Sequence, residues 1–405
     1  MKVIFKQNTC RKMLHTYMDV FIRRLFIGLL IYSSQYIAAQ DAIKVVINPN
    51  NAQTGECMLN DFIETIEYIP LETNDKCLIG QIGIFDISEK YIVVYCVKSE
   101  SIFLFHRNGR FICKVGSRGN GPEEYLSPGG LFIDEKRNRI LIIEGYKRKQ
   151  LIYGLNGKFI GDISIEVKTS VGLYIRMFND NFFIKTLEHK DDSYVYEIRD
   201  INLQLLTEKV KTIHYQRDPV FNVVGIPSFY LYNDKNHIRG LELNDTLYSI
   251  EKDFFFKPKY IVNAGRYEIT ADMLARSDDA FFLQCVCFQQ FFETKDKLLI
   301  SYHFGSVRSS IDYCYHDNNT RKVLHFKSDK GIPNDYDGGL DFWPERQDNL
   351  EWYAFYNAHL FKDEFIENEK KSLKGDVNAI RSFDKFRQKL DSDDNPVLVI
   401  VKRKE

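Results

Sequence analysis

Two stretches of the chain carry residue types suited to holding a ligand, and they share an outline. Gly116-Ser-Arg-Gly-Asn-Gly-Pro-Glu-Glu-Tyr125 sets an arginine and two carboxylates among glycines, and ends on a tyrosine. Gly331-Ile-Pro-Asn-Asp-Tyr-Asp-Gly-Gly-Leu-Asp-Phe342 runs on to Trp343 and Arg346. Its Gly338-Gly339 pair matches Gly129-Gly130, which follows the first stretch. Arg118 and Arg346 offer planar guanidinium forks that match a carboxylate bidentately. Tyr125, Tyr336 and Trp343 offer flat faces for a sugar ring or a peptide side chain. Glu123 adds an acceptor. The six form the candidate ligand set, against the simpler alternative of solvated turns and inter-blade packing.

Other chemistries find less support. The first stretch is no phosphate cradle, having neither GxxxxGK[ST] nor GxGxxG spacing; its glycines suit a tight crossing between sheets. The nine histidines are scattered without HExxH or HxH, and there is no GxSxG elbow. The acid pairs Asp191-Asp192, Asp278-Asp279 and Asp393-Asp394 read as solvated turns without EF-hand spacing. Cys285-Val-Cys287 has no second pair to complete a metal site. No metal and no cofactor is therefore expected.

The elements that position these loops come from a repeat. Ser101-Ile-Phe-Leu-Phe-His-Arg-Asn-Gly-Arg-Phe-Ile112 returns as Lys149-Gln-Leu-Ile-Tyr-Gly-Leu-Asn-Gly-Lys-Phe-Ile160, a shift of 48 residues. Each copy reads as a strand, an Asn-Gly turn of type I′, and a strand. Sheet units at this period mark a β-propeller. The ruler places blades at about 79–115, 130–165, 173–213, 228–262 and 285–326, with a sixth from Gly339 through 350–361. The expected class is all-β, a six-bladed β-propeller with short helical insertions.

Two helical inserts interrupt it, near 270–283, where Thr270 can cap, and near 362–391. In the second, Leu373, Val377, Ile380, Phe383, Phe386 and Leu390 recur at helical spacing, which suits packing on the propeller. Asp61–Glu72 reads as a strand, and the run Val397–Val401 as another. Ile43–Ile47 is a further possible strand, and pairing of Val397–Val401 with a strand from the first 30 residues beyond residue 40 would close the ring and remove an exposed edge.

Residues 1–40 read as a signal peptide. Arg23-Arg24 precede Leu25–Tyr32 and a small-residue end at Ala38-Ala39. The apolar core is too short to span a membrane. Met18 is an alternative start, which makes residues 1–17 a start-site artefact. The mature unit is then 41–405, a single propeller domain with no membrane span, located in the periplasm or at the cell surface. Seven cysteines remain in it at irregular spacing, which is not a disulfide framework. Net charge is −1 overall and −6 beyond residue 40, which argues against a nucleic-acid surface.

Jointly, Ile69-Pro-Leu-Glu72, Asn108-Gly109, Gly119-Asn-Gly-Pro-Glu-Glu-Tyr125, Leu243-Asn-Asp-Thr-Leu-Tyr-Ser-Ile250 and Asp393-Asp-Asn-Pro-Val-Leu-Val399 give the chain a family likeness. It resembles the secreted bacterial six-bladed β-propeller proteins related to NHL-repeat propellers, a group largely without assigned function. The resemblance implies six blades and export, and brings no catalytic set with it. Glu123 stands where such relatives often have Gly. The functional expectation is an exported, non-enzymatic binding or interaction module. Its partner is a small polar ligand, a glycan or peptide at the channel face, or an envelope protein. The rival is a hydrolase or lyase using a carboxylate pair or calcium in the channel.

Overall fold

The computed structural model describes residues 42–50, 53–165, 173–186, 194–210, 228–239, 245–270, 273, 284–305, 310–328, 330–363, 373 and 377–404. The expected signal peptide lies outside them. Among the described residues twenty-five strands form six separate sheets. Blade one holds β3 (Ile82–Ile87), β4 (Tyr91–Cys96), β5 (Ser101–His106) and β6 (Phe111–Val115). Blade two holds β7 (Pro128–Asp134), β8 (Arg139–Glu144), β9 (Lys149–Gly154) and β10 (Phe159–Ser164). Blade three runs β11 (Leu173–Phe178), β12 (Asn181–Thr186), β13 (Tyr194–Asp200), β14 (Leu205–Val210). Blade four runs β15 (Phe229–Tyr232), β16 (Lys235–Arg239), β17 (Asp245–Ile250), β18 (Phe256–Asn263). Blade five runs β19 (Val286–Glu293), β20 (Lys297–Phe304), β21 (Ile311–Asp317), β22 (Val323–Phe326). All are antiparallel meanders in chain order.

The sixth blade joins the two ends of the chain. β23 (Arg346–Asp348) pairs with β24 (Glu351–Tyr356), β24 with β25 (Val397–Arg403), and β25 with β2 (Ile63–Pro70). The run at 397–401 is thus clamped on both sides, which leaves the ring no open edge at its seam. A short β1 (Ile43–Val46) adds a fifth, parallel strand to blade four.

Strand alternation explains why these strands read as nearly continuous apolar runs. Side chains alternate between the two faces of a strand, and here each face meets a neighbouring blade. In β4, Ile92 and Val94 pack with Leu398 and Ile400 of blade six, while Val93 packs with Leu131 and Ile142 of blade two. Both faces are buried, so both must be apolar.

The repeated Asn-Gly turns are not of type I′, as expected, because only the glycine is left-handed. Gly109 has φ +84° and Gly157 φ +76°, while neither asparagine has positive φ. Gly109 N–H donates to His106 O at 2.9 Å, Gly157 N–H to Gly154 O at 2.9 Å, and a register shift follows each. This is the longer hairpin with a glycine bulge. A Cβ at Gly109 would lie 2.1 Å from Pro70 O, and one at Gly157 would lie 2.3 Å from Lys114 O. The repeat therefore records the same contact twice, a turn pressed on the outer strand of the preceding blade.

Of the inserts, Thr270 Oγ1 accepts a bond from Met273 N at 3.3 Å, as a cap does. The rest of that stretch lies outside the described residues. The second insert forms α1 (Leu360–Asp363) and α2 (Val377–Lys389). The apolar face of α2 packs on blade six, with Phe386 stacked on Tyr68 at 5.0 Å between ring centres and Phe383 beside it. Among the described residues no disulfide joins any of the seven cysteines beyond residue 40.

Candidate binding site at the channel wall

The first strand of each blade lies innermost: β3 packs on β7, β7 on β11, and β15 on β23. At the end carrying the β15–β16 and β23–β24 hairpins, polar bonds lace blades four and six together. Asn349 Nδ2 donates to Asp234 Oδ1 at 2.9 Å, and Asp234 N donates back to Asn349 Oδ1 at 3.0 Å. Lys90–Glu135 and Lys136–Asp180 pairs join blades one to two and two to three at the same end. The loops that cross from blade to blade, including the two singled out above, lie at the opposite end.

The two crossing loops are wound around charged groups, half-buried Lys147 with buried Glu144 in one and buried Asp337 in the other. In the first, the Lys147 ammonium donates to Gly119 O (2.8 Å), Gly121 O (2.9 Å) and Glu124 O (2.7 Å). Wholly buried Glu144 accepts from Leu126 N and Ser127 N, both at 2.8 Å. In the second loop, Asp337 is 2% exposed. Its carboxylate accepts from Tyr68 Oη (2.8 Å), Asn334 Nδ2 (2.8 Å) and Gly339 N (2.9 Å). Burial pushes the Asp337 carboxyl above its usual range despite these donors.

These latches decide where the six residues read from the sequence fall. Tyr125 is 0% exposed and its hydroxyl accepts from Ile102 N at 3.1 Å, so it fills the core between blades one and two. Arg118 is exposed and pairs with Glu100 at 2.8 Å. Glu123 is exposed; its backbone carbonyl accepts from the Tyr153 hydroxyl at 2.5 Å. Tyr336 is half-buried and its hydroxyl donates to Glu64 O at 3.3 Å. Arg346 bridges blades: it pairs with Asp86 of β3 and with Asp348 at 2.8 Å. Of the six, only Trp343 lines a cavity identified in the structure, and Arg346 is already neutralised by two carboxylates.

That cavity, about 210 Å³, opens between the inner parts of blades three to six. Tyr174 and Arg176 come from β11, Phe229 from β15, Gln289 and Gln290 from β19, Tyr313 from β21, and Trp343 and Glu345 from the second crossing loop. Local rules place each of them. Two-residue spacing puts Tyr174 and Arg176 on one face of β11. In β19, Phe288 pairs with Tyr302 but Gln290 pairs with Ser301, so Gln289 is the extra residue of a bulge. Such bulges re-aim side chains near sites. Arg239 holds this one, donating to Phe288 O (3.1 Å) and Gln289 O (3.2 Å). Trp343 is fixed by its indole N–H, which donates to Gln290 Oε1 at 2.8 Å, and by Tyr313 at 4.7 Å between ring centres.

Two charged groups face this space. The exposed Arg176 guanidinium lies 4.7 Å from the centre of the Tyr174 ring, donates to Ile175 O at 3.2 Å and bonds the Tyr174 side chain. Among the described residues no carboxylate pairs with it. Glu345 also walls a second cavity of about 370 Å³ between blades one and six, lined by Gln81, Phe85, Phe355 and Asn357. Its carboxylate is reached by solvent yet flanked by protein on both sides, and this confinement pushes its pKa up to about 7; Phe355 N–H opposes the shift. Arg176 and Glu345 were not among the residues read from the sequence. The available signal was an arginine two residues from a tyrosine on an innermost strand.

The fold and channel define a six-bladed β-propeller. The chain belongs to the family described as "Domain of unknown function (DUF4934)", whose model matches residues 43–402. A crystal structure of a "Putative exported protein" from Bacteroides fragilis NCTC 9343 superposes with TM-score 0.62 at 15% identity, covering 90% of this chain and 100% of that one. A DUF4221-family member from Bacteroides vulgatus covers 84% of this chain and 97% of its own at 10% identity, with TM-score 0.49. No curated protein matches. Among the described residues no helix is long and apolar enough to cross a membrane.

Proposed function

We propose that the protein is an exported binding module that captures a small polar ligand in the channel-wall cavity. Support for export is the charged and apolar N-terminal segment, together with the exported label of the Bacteroides fragilis neighbour. The observation that carries binding is the cavity's composition. Aromatic walls supply contact area, two side-chain amides supply directional bonds, and an arginine without an acidic partner supplies orientation. Loops and bulges on a rigid ring are where such sites form.

Trp343 makes the reading testable, because the chain has only one other tryptophan and that one, Trp352, is fully buried. Glycans and short peptides titrated into the protein are expected to change tryptophan emission saturably. W343F should abolish the signal, and calorimetry should show weaker binding. Unchanged affinity in W343F would place the ligand elsewhere. The enzymatic alternative has one observation in its favour, the near-neutral Glu345, since such a carboxyl can donate a proton to a leaving group. Product formation from a bound glycan, lost in E345Q, would replace capture with catalysis.

A further inference from the structure

We infer that the ligand's chemical class is an acidic sugar, a hydroxylated ring bearing one carboxylate, which Arg176 receives. The inference rests on the binding reading above and goes beyond it by naming the charge and the body of the ligand. The charge follows from a contrast between two arginines near the channel. Arg346 is held by Asp86 and Asp348 and needs nothing further. Arg176 is exposed at the cavity wall and lies against Tyr174, bonded to that side chain and to Ile175 O but to no carboxylate among the described residues, so it keeps donors for a ligand. Stacking on the ring fixes the guanidinium plane while leaving its edge for a bidentate carboxylate.

The body follows from the neutral groups. Gln289, Gln290 and Ser301 wall the cavity beside Trp343. The indole N–H occupies Gln290 Oε1 and leaves the amide N–H₂ as a donor. Gln289 Nε2 is held by Cys287 O (3.4 Å) and Ser301 Oγ accepts from Gln290 N (3.2 Å). An aromatic carboxylate would satisfy Arg176 and the ring faces but still leave the Gln290 amide N–H₂ facing apolar surface, a loss that penalises it. A ring carrying several hydroxyls satisfies both. At about 210 Å³ the cavity is smaller than the roughly 300–1,000 Å³ of sites that enclose drug-sized ligands. It therefore suits one sugar ring rather than an extended chain.

The test is calorimetry with glucuronate, galacturonate and their dimers, beside glucose, galactose and phenylacetate, on the full chain and on R176A and R176K. Uronates are expected to bind at least tenfold more tightly than the neutral sugars and phenylacetate. R176A should remove that preference, and R176K should restore only part of it, because an ammonium cannot form the fork. Neutral sugars binding as tightly as uronates, with no loss in R176A, would overturn the acidic-ligand inference and leave the binding reading standing. Phenylacetate binding more tightly than the uronates would likewise overturn it through the ligand's body. No saturable binding by any probe would remove both. Urea unfolding of each variant identifies misfolded protein, and R176K provides the folded comparison should R176A unfold.

Discussion

The two crossing loops share a sequence outline and a place between blades, yet they are built on opposite charges. The loop at Gly116–Tyr125 folds its carbonyls around the Lys147 ammonium. The loop at Gly331–Phe342 folds its own amide donors, joined by the Tyr68 hydroxyl of β2, around the Asp337 carboxylate. A loop without ladder bonds must find partners for its backbone groups, and one buried charge can serve several at once. The difference decides which loop can contribute to a site. The first spends its tyrosine on the core. The second leaves Trp343 at the cavity wall and passes directly into Glu345.

The largest test of this comparison is to remove the cation. K147M leaves three loop carbonyls without their donor, and is expected to cost about 3 kcal/mol by urea unfolding, since bonds to a charged group are worth about 1.5–3 kcal/mol each before relaxation. Ligand capture by the folded fraction should persist. A cost below about 0.5 kcal/mol would mean that water serves the carbonyls and that the lysine does not organise the loop.

Next in size is the contrast between Arg346 and Arg176. R346A leaves Asp86 and Asp348 facing each other without their shared cation, at the junction of blades six and one. A loss of about 2 kcal/mol is expected, below the 3–5 kcal/mol of a fully buried pair because the guanidinium is partly exposed. R176A removes an exposed ring contact, a bond to the Tyr174 side chain and one backbone bond, and should cost no more than about 0.5 kcal/mol. Equal losses would erase the distinction between a structural arginine and a receptor.

How far these roles were legible in the sequence differs from fold to site. The strands were readable because both faces of each blade are buried, which writes apolar runs such as Ile92-Val93-Val94 and Ile140-Leu141-Ile142 at one period. Closure was readable because Val397–Val401 is too apolar for a tail. The turn type was not, since the Asn-Gly pair fits two hairpin geometries and the deciding contacts, Pro70 O and Lys114 O, lie on the preceding blade. The site was mostly hidden for the same reason. Arg118 and Arg346 look alike on paper, and only the third dimension supplies Glu100, Asp86 and Asp348 as partners. The Gln289 bulge needs the pairing register to be seen.

A smaller effect separates the loops by pH. Burial raises the Asp337 carboxyl above its usual value. The folded state therefore holds that proton more tightly than the unfolded chain. Stability from this group is greatest below the unfolded value of about 4 and declines as pH rises through the folded pKa. D337N carries no such titration, so its midpoint relative to the parent should rise as pH increases above the unfolded value of about 4. A difference that is flat, or that falls with pH, would show that the three donors outweigh burial.

The smallest expected effect belongs to Arg118, and its near absence is the point. Its partner Glu100 is as open to solvent as Arg118 itself, at 42% and 52% exposure. Exposed pairs contribute about 0–1 kcal/mol, and salt screens them further. R118A should therefore leave the urea midpoint within error of the parent. It should also leave uronate binding unchanged, because none of the cavity wall comes from the first crossing loop. A matched loss of binding without loss of stability would mean that the ligand reaches across the channel face to this loop. The site would then be a groove shared by both crossings rather than a pocket in the wall between blades three and six, and oligouronates would bind far more tightly than single rings.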